Sequence, residues 1–164
     1  MDKFNNLGDL FQHELKDLYS AEQQILKALP KMAGAARHEQ LRGAFEEHEQ
    51  VTQDQVRRLD MIADELGIDI KGHKCKGMEG IIKEGQELLD SDIDADTRDA
   101  ALIGAAQRVE HYEIAGYGTA RTFARRLGHE RAADLLQETL DEEGKTDHRL
   151  TSIAEGMVNR DAMR

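Results

Sequence analysis

The sequence predicts an all-α protein, a four-helix bundle built from two helical hairpins. Helix-forming residues dominate its 164 positions, which include one proline and no tryptophan. Four long segments place apolar residues at helical spacing. Short turns join these segments in pairs, and a glycine-punctuated stretch separates the pairs.

The first segment runs from about Phe4 to Met32. Its inward stripe reads Phe4, Leu7, Phe11, Leu15, Leu18, Glu22, Ile25, Leu29 and Met32. The second runs from about His38 to Leu66 through Leu41, Phe45, His48, Thr52, Gln55, Leu59 and Ile62, and Gly67 supplies a stop. Residues 67–95 form a long crossover, in which Met78, Ile81, Ile82, Leu88 and Leu89 predict a short amphipathic helix. The third long segment, from about Asp96 to Leu127, carries Leu102, Ala106, Val109, Glu113, Tyr117, Ala120 and Ala124 inward. Gly128 ends it. The fourth runs from about His129 to Met157 through Ala132, Leu136, Thr139, Glu143, Thr146, Leu150 and Ile153. The polar tail after Val158 is expected to fray. Hairpin one thus covers about 4–66 and hairpin two about 96–158 of a single domain, 1–164. Two hairpins joined by one long crossover have ferritin-like connectivity.

An internal repeat supports this division. At an offset of 91 positions the first hairpin lies on the second without a gap. Glu22 then falls on Glu113, His38-Glu39 on His129-Glu130, and Arg58-Leu59 on Arg149-Leu150. A duplicated hairpin predicts a pseudo-two-fold axis with Glu22 and Glu113 facing across it.

The formal net charge of −11 argues against nonspecific binding to nucleic acid or to an anionic membrane. The single cysteine, Cys75, excludes a disulfide within the chain and suits the reducing cytoplasm. Its flanking lysines, Lys74 and Lys76, would lower a thiol pKa, although packing against Met78 under the crossover is the simpler role. No apolar stretch has membrane length and no secretion signal is visible.

Polar residues interrupt the inward stripes at one height. They are Glu22 on the first helix, His48 on the second, Glu110 and Glu113 on the third, and Glu143 and Asp147 on the fourth. Glu110/Glu113 and Glu143/Asp147 are spaced i,i+3 and i,i+4, so each pair shares a helix face. Carboxylates gathered in an apolar core need protons, partners or cations between them. Oxygen-rich ligands with one imidazole suit iron or manganese. Tyr19, Tyr112 and Tyr117 are expected near these acids, and His111, His148, Glu46, Glu47 and Glu142 enter the site if the register slips by one.

The stretches Leu18-Tyr19-Ser20-Ala21-Glu22-Gln23-Gln24, Cys75-Lys76-Gly77-Met78-Glu79-Gly80, Val109-Glu110-His111-Tyr112-Glu113-Ile114-Ala115 and Glu138-Thr139-Leu140-Asp141-Glu142-Glu143 carry a resemblance. The chain resembles the YciE/YciF family of bacterial ferritin-like proteins, relatives of rubrerythrin and ferritin. The resemblance covers nearly the whole chain. It implies a ferritin-like fold, homodimers, a link to bacterial stress responses and a di-metal site of at most two ions. The chain departs from the di-iron pattern of ferritin and rubrerythrin, which has Glu-x-x-His on two of the helices. Phe45 stands three residues before His48, and Glu143 is followed by Thr146.

Two functional readings follow. In the first, the chain is a stress protein with a di-iron or di-manganese carboxylate centre between Glu22, His48, Glu110, Glu113, Glu143 and Asp147, oxidising Fe(II) with oxygen or peroxide. In the second, it is a metal-free structural or interaction protein that keeps the fold with a degenerate site.

Overall fold

The computed structural model describes residues 4–164. Among them the helices are α1 (Leu7–Ala35), α2 (Glu39–Leu66), α3 (Lys76–Leu89), α4 (Ala95–Arg126), α5 (Glu130–Ile153) and a short α6 (Asn159–Asp161). Each long helix starts or stops for a local reason. The Asn6 side chain accepts the Asp9 N–H at 3.0 Å, which opens α1. The Asp94 carboxylate accepts from the N–H groups of Asp96 and Thr97 and opens α4. Gly67 ends α2 at φ +63°, and Gly128 turns the chain between α4 and α5 at φ +82°.

Helix α1 packs on α2 and α4 on α5, and the two hairpins join through α1 against α4 and α2 against α5. Asp99, early in α4, accepts backbone N–H bonds from Arg37 and His38 in the α1–α2 turn, at 2.9 and 2.7 Å. The start of α4 therefore lies beside the end of α1, and the two run antiparallel. Ion pairs from Arg131 to Glu65, Arg58 to Glu138 and Arg149 to Glu47 set the same antiparallel register for α2 and α5. Every neighbouring pair round the bundle is antiparallel. The crossover must then return the length of the bundle, and α3 does so along α1 and α4. A Cβ on Gly77 would stand 2.7 Å from the Tyr112 ring, so glycine is what lets α3 close on α4 at that point.

The apolar core is in two parts. One gathers Ile25, Leu29, Leu41, Phe45, Met78, Leu102 and Leu150 towards the α1–α2 turn. The other gathers Phe11, Leu15, Leu18, Leu59, Ile62, Tyr117 and Leu136 towards the opposite end. Between them lies a belt of fully buried polar side chains: Glu22, Thr52, Gln55, Glu110, Glu113, Thr139 and Glu143.

The structure corrects the expected elements at two ends. Helix α1 begins at Leu7, and Phe4 is 45% exposed instead of lying on the inward stripe. At the C-terminus the chain does not fray after Val158. A π-helical turn over Ala154–Val158 carries it into α6. The wider turn shifts the inward register by one residue, so Val158 is buried where Met157 was expected.

Candidate metal centre

The belt is assembled by register. Antiparallel packing of α1 on α4 brings Glu22 level with Glu113, and antiparallel packing of α2 on α5 brings Gln55 level with Glu143. The Gln55 amide donates to Glu143 Oε1 across that interface. His48 sits two turns before Gln55 on α2. Its Nδ1 lies 3.4 Å from Glu110 Oε1 and its Nε2 lies 3.9 Å from Glu143 Oε2. One ligand atom each from His48, Glu110, Glu113 and Glu143 falls within 4.8 Å of the others, and all four residues are buried. Glu22 borders this group of four from α1, and the Tyr117 hydroxyl on α4 donates to its Oε1.

Electrostatics marks the belt as unfavourable for bare charge. Burial, reinforced by the Glu143 charge, raises the pKa of Glu22 to about 8. The same two causes push Glu110 and Glu113 well above the usual carboxylate range. Burial lowers the His48 pKa against the opposing pull of Glu143, which favours the neutral imidazole that binds metals. Burial and then the Glu22 charge hold the Tyr117 phenol protonated.

Nine side-chain atoms of the belt are buried without a hydrogen-bond partner. They are Glu22 Oε2, His48 Nε2, Thr52 Oγ1, Gln55 Oε1, Glu143 Oε2 and both carboxylate oxygens of Glu110 and of Glu113. Each orphaned polar atom costs about 1–3 kcal/mol, and a whole native domain tolerates only a few per hundred residues. A group that accepts several oxygens and one ring nitrogen at once matches this donor set. The buried His and Glu ligand atoms could hold a metal ion.

An outer layer anchors the cluster. Gln55 also donates to Glu142 Oε2 at 3.2 Å, and Glu142 is gripped by Arg58 through two bonds of 2.7 Å. Arg58 further reaches Thr139 and Glu138. The chain Glu143–Gln55–Glu142–Arg58 thus fixes the orientation of a candidate ligand from the surface inwards.

Five of the six predicted residues, Glu22, His48, Glu110, Glu113 and Glu143, meet in the belt. The structure does not bring Asp147 there. Its carboxylate accepts from Gln107 at 3.2 Å and lies 3.3 Å from the exposed His111, on the α4–α5 flank. His148, Glu46 and Glu47 are exposed. Glu142 serves in the outer layer. Of the tyrosines expected near the acids, Tyr117 is there. Tyr112 instead donates to Asp17 at 2.6 Å, and Tyr19 packs in the far core. Sequence reasoning missed Gln55 and Arg58. Gln55 stood on the inward stripe two turns from His48 and was the available signal. Arg58 lay off the stripe and had none.

At Cys75 the packing role holds, since Cys75 and Met78 are both buried in one core, and the lysine effect does not. Its thiol pKa is raised, first by burial, and not lowered by the flanking lysines. Lys74 turns away to pair with Glu79. The thiol accepts the Met78 N–H at 3.3 Å and caps α3, with Asp17 and Tyr112 also in contact.

Known proteins share this architecture. The family described as Domain of unknown function (DUF892) matches residues 6–163, and the chain belongs to it. The chain is 49% identical over 157 residues to Protein YciF of Escherichia coli (strain K12), covering 95% of each. It superposes on the crystal structure of the E. coli stress protein YciF with a TM-score of 0.92 at 48% identity, covering 95% of this chain and 99% of that one. A Rhodopseudomonas palustris protein named YcfI, provisionally described as structural, matches with a TM-score of 0.88 at 40% identity over 90% and 94% of the two chains.

Proposed function

We propose that this DUF892 member is a ferritin-like stress protein whose bundle holds one or two iron or manganese ions in the belt between its two cores. The orphaned carboxylate oxygens of Glu110 and Glu113 beside the unpartnered Nε2 of His48 carry this reading. Glu113 and Glu143 would be the central ligands, Glu110 and His48 would bind on the α2 side, and Glu22 would bind from α1. Asp147 remains in the proposed set only as an outer residue, since it faces the flank. When bound, the ions would supply the electrons for reducing oxygen or peroxide.

This chain's own residues would do the rest. The belt carboxylates exchange protons for cations as a site fills. Gln55 and Arg58 orient Glu143, and Tyr117 holds a proton at Glu22 Oε1. The two apolar cores exclude water above and below. The same reading takes the whole chain as one domain, because residues of both hairpins meet in each core. It includes a cytoplasmic homodimer, supported by the family resemblance and tested by sedimentation of the purified protein. Among the described residues no helix is long and apolar enough to cross a membrane.

The test is elemental analysis of protein purified without chelator and again after anaerobic Fe(II) loading. The expected result is one to two ions per chain, with affinity reduced about 100-fold in Glu113→Ala. No metal under either condition would sink the proposal.

A second reading has its own support. At the repeat offset, the positions of Glu143 and Thr146 correspond to Thr52 and Gln55, so α2 offers neutral groups where α5 offers an acid. A metal-free bundle with protonated acids, serving as a structural protein like the description of the R. palustris relative, fits that loss. In that case the wild-type protein stays empty on loading.

A further inference from the structure

A groove of about 120 Å³ opens between α1, α3 and α4 and ends at the belt, sharing His48 and Glu110 with it. Its walls are apolar, formed by Leu29, Ile82 and Ala106 among others. Its inner end is polar, because His48 and Glu110 line it, both more than nine-tenths buried and both carrying unpartnered atoms. Its outer rim carries two exposed lysines, Lys27 and Lys31, one turn apart on α1.

We propose that this groove binds a small amphipathic carboxylate, with the apolar body between α1, α3 and α4 and the carboxylate at Lys27 and Lys31. A dry apolar cavity of roughly 150 Å³ takes up a benzene-sized guest, so the groove of about 120 Å³ seats the inner part of a short acyl chain. Charge fixes the orientation. Burial at the inner end disfavours an ionised head, and on a chain of net charge −11 the lysine rim is the attractive end. That same rim disfavours cations, so the groove is a poor entry for metal and a good one for an organic anion. The covering element is suited to admitting a guest. Of the 14 residues of α3 only Met78 is buried, and the rest of its apolar face, Ile81, Ile82 and Leu89, is half-buried against the core. Gly85 brings α3 close to α4 at Ala105, where an added Cβ would stand 3.3 Å from the alanine methyl, so the groove narrows without closing.

Carboxylate binding is independent of metal. Only the juxtaposition of the buried tail with a metal centre at Glu110 and His48 rests on the reading above.

The experiment is calorimetric titration of octanoate, with 1-octanol as the uncharged control, into metal-free protein. We expect saturable binding of both. The double variant Lys27→Glu/Lys31→Glu, at exposed positions, weakens octanoate about tenfold and leaves octanol within about twofold. Ala106→Phe fills the groove and abolishes both. Should that variant not fold, the lysine pair alone decides. Absence of octanoate binding at millimolar concentration overturns the proposal, as does equal octanoate affinity in the charge-reversed protein. Because these titrations use metal-free protein, they stand or fall separately from the metal content of Glu113→Ala.

Discussion

The two hairpins of this bundle share a length, a turn and a 91-residue offset, yet they contribute unequally to its centre. The offset maps the start of α2, Glu39, onto the start of α5, Glu130, and the end of α1, Ala35, onto the end of α4, Arg126. The belt does not follow. Hairpin two supplies Glu110, Glu113 and Glu143. Hairpin one supplies Glu22, the neutral Thr52 and Gln55, and His48, whose counterpart is Thr139. Backbone symmetry therefore survives where helix packing demands only apolar residues at the right spacing. Charge symmetry is lost because each buried carboxylate costs several kcal/mol unless a proton or cation compensates it. An acid missing from one half relieves the other.

That asymmetry can be broken outright by restoring the missing acid. Thr52→Glu adds a carboxylate opposite Glu143 in a fully buried position. In metal-free protein it should cost about 3 kcal/mol, a fall in Tm of roughly 6–12 °C for a chain of this size. Manganese or iron should recover most of that loss in a thermal melt. Equal destabilisation with and without metal would mean that the belt does not bind cations at this point.

The opposite change lightens hairpin two. Glu110→Gln/Glu113→Gln removes two acids that resist ionisation, so metal-free stability should rise by about 1–3 kcal/mol in denaturant unfolding. Metal content should fall together with that gain.

A pH series sharpens the same contrast. Glu22, Glu110 and Glu113 have folded-state pKa values raised above their ordinary value. The folded state therefore keeps protons that the unfolded state has released, and stability falls as pH rises. For Glu22 the loss begins near its ordinary pKa of 4.5 and is complete above about 8. Metal-free protein should melt lower at pH 8 than at pH 5, and Glu22→Gln should flatten the slope. Bound metal should replace the protons and flatten it as well.

The smallest effect is expected at the flank. Asp147→Asn should leave metal content unchanged and shift stability by no more than about 0.5 kcal/mol, since Asp147 bonds Gln107 and His111 outside the belt. Loss of metal in this variant would move the centre towards α4 and α5.

Periodicity alone was enough to read the bundle, the crossover helix and most of the core. Buried faces must repeat every 3.6 residues, so Leu15, Leu41, Leu102 and Leu136 declare themselves. It was also enough to place Glu22, Glu113 and Glu143 inside, because each interrupts a stripe. It was not enough at the edges. Glu110 and Asp147 both lie a turn from a central acid, and spacing treats them alike. Packing separates them: Glu110 turns towards His48 across the bundle, while Asp147 turns to the seam between α4 and α5. A stripe likewise gives no warning of a π turn, which displaced Met157 in favour of Val158.

By itself, then, the sequence determined the helices, their pairing and the height at which acids interrupt the core, because those properties are local and periodic. Only the tertiary structure decided which carboxylates share a space, that Gln55 and Arg58 brace one of them, that the Cys75 thiol caps a helix, and that a lysine-rimmed groove reaches His48. Each of these depends on which side chains from different helices meet. That is set by the rotation and register of packed helices, and a single chain's periodicity leaves both open to within a residue.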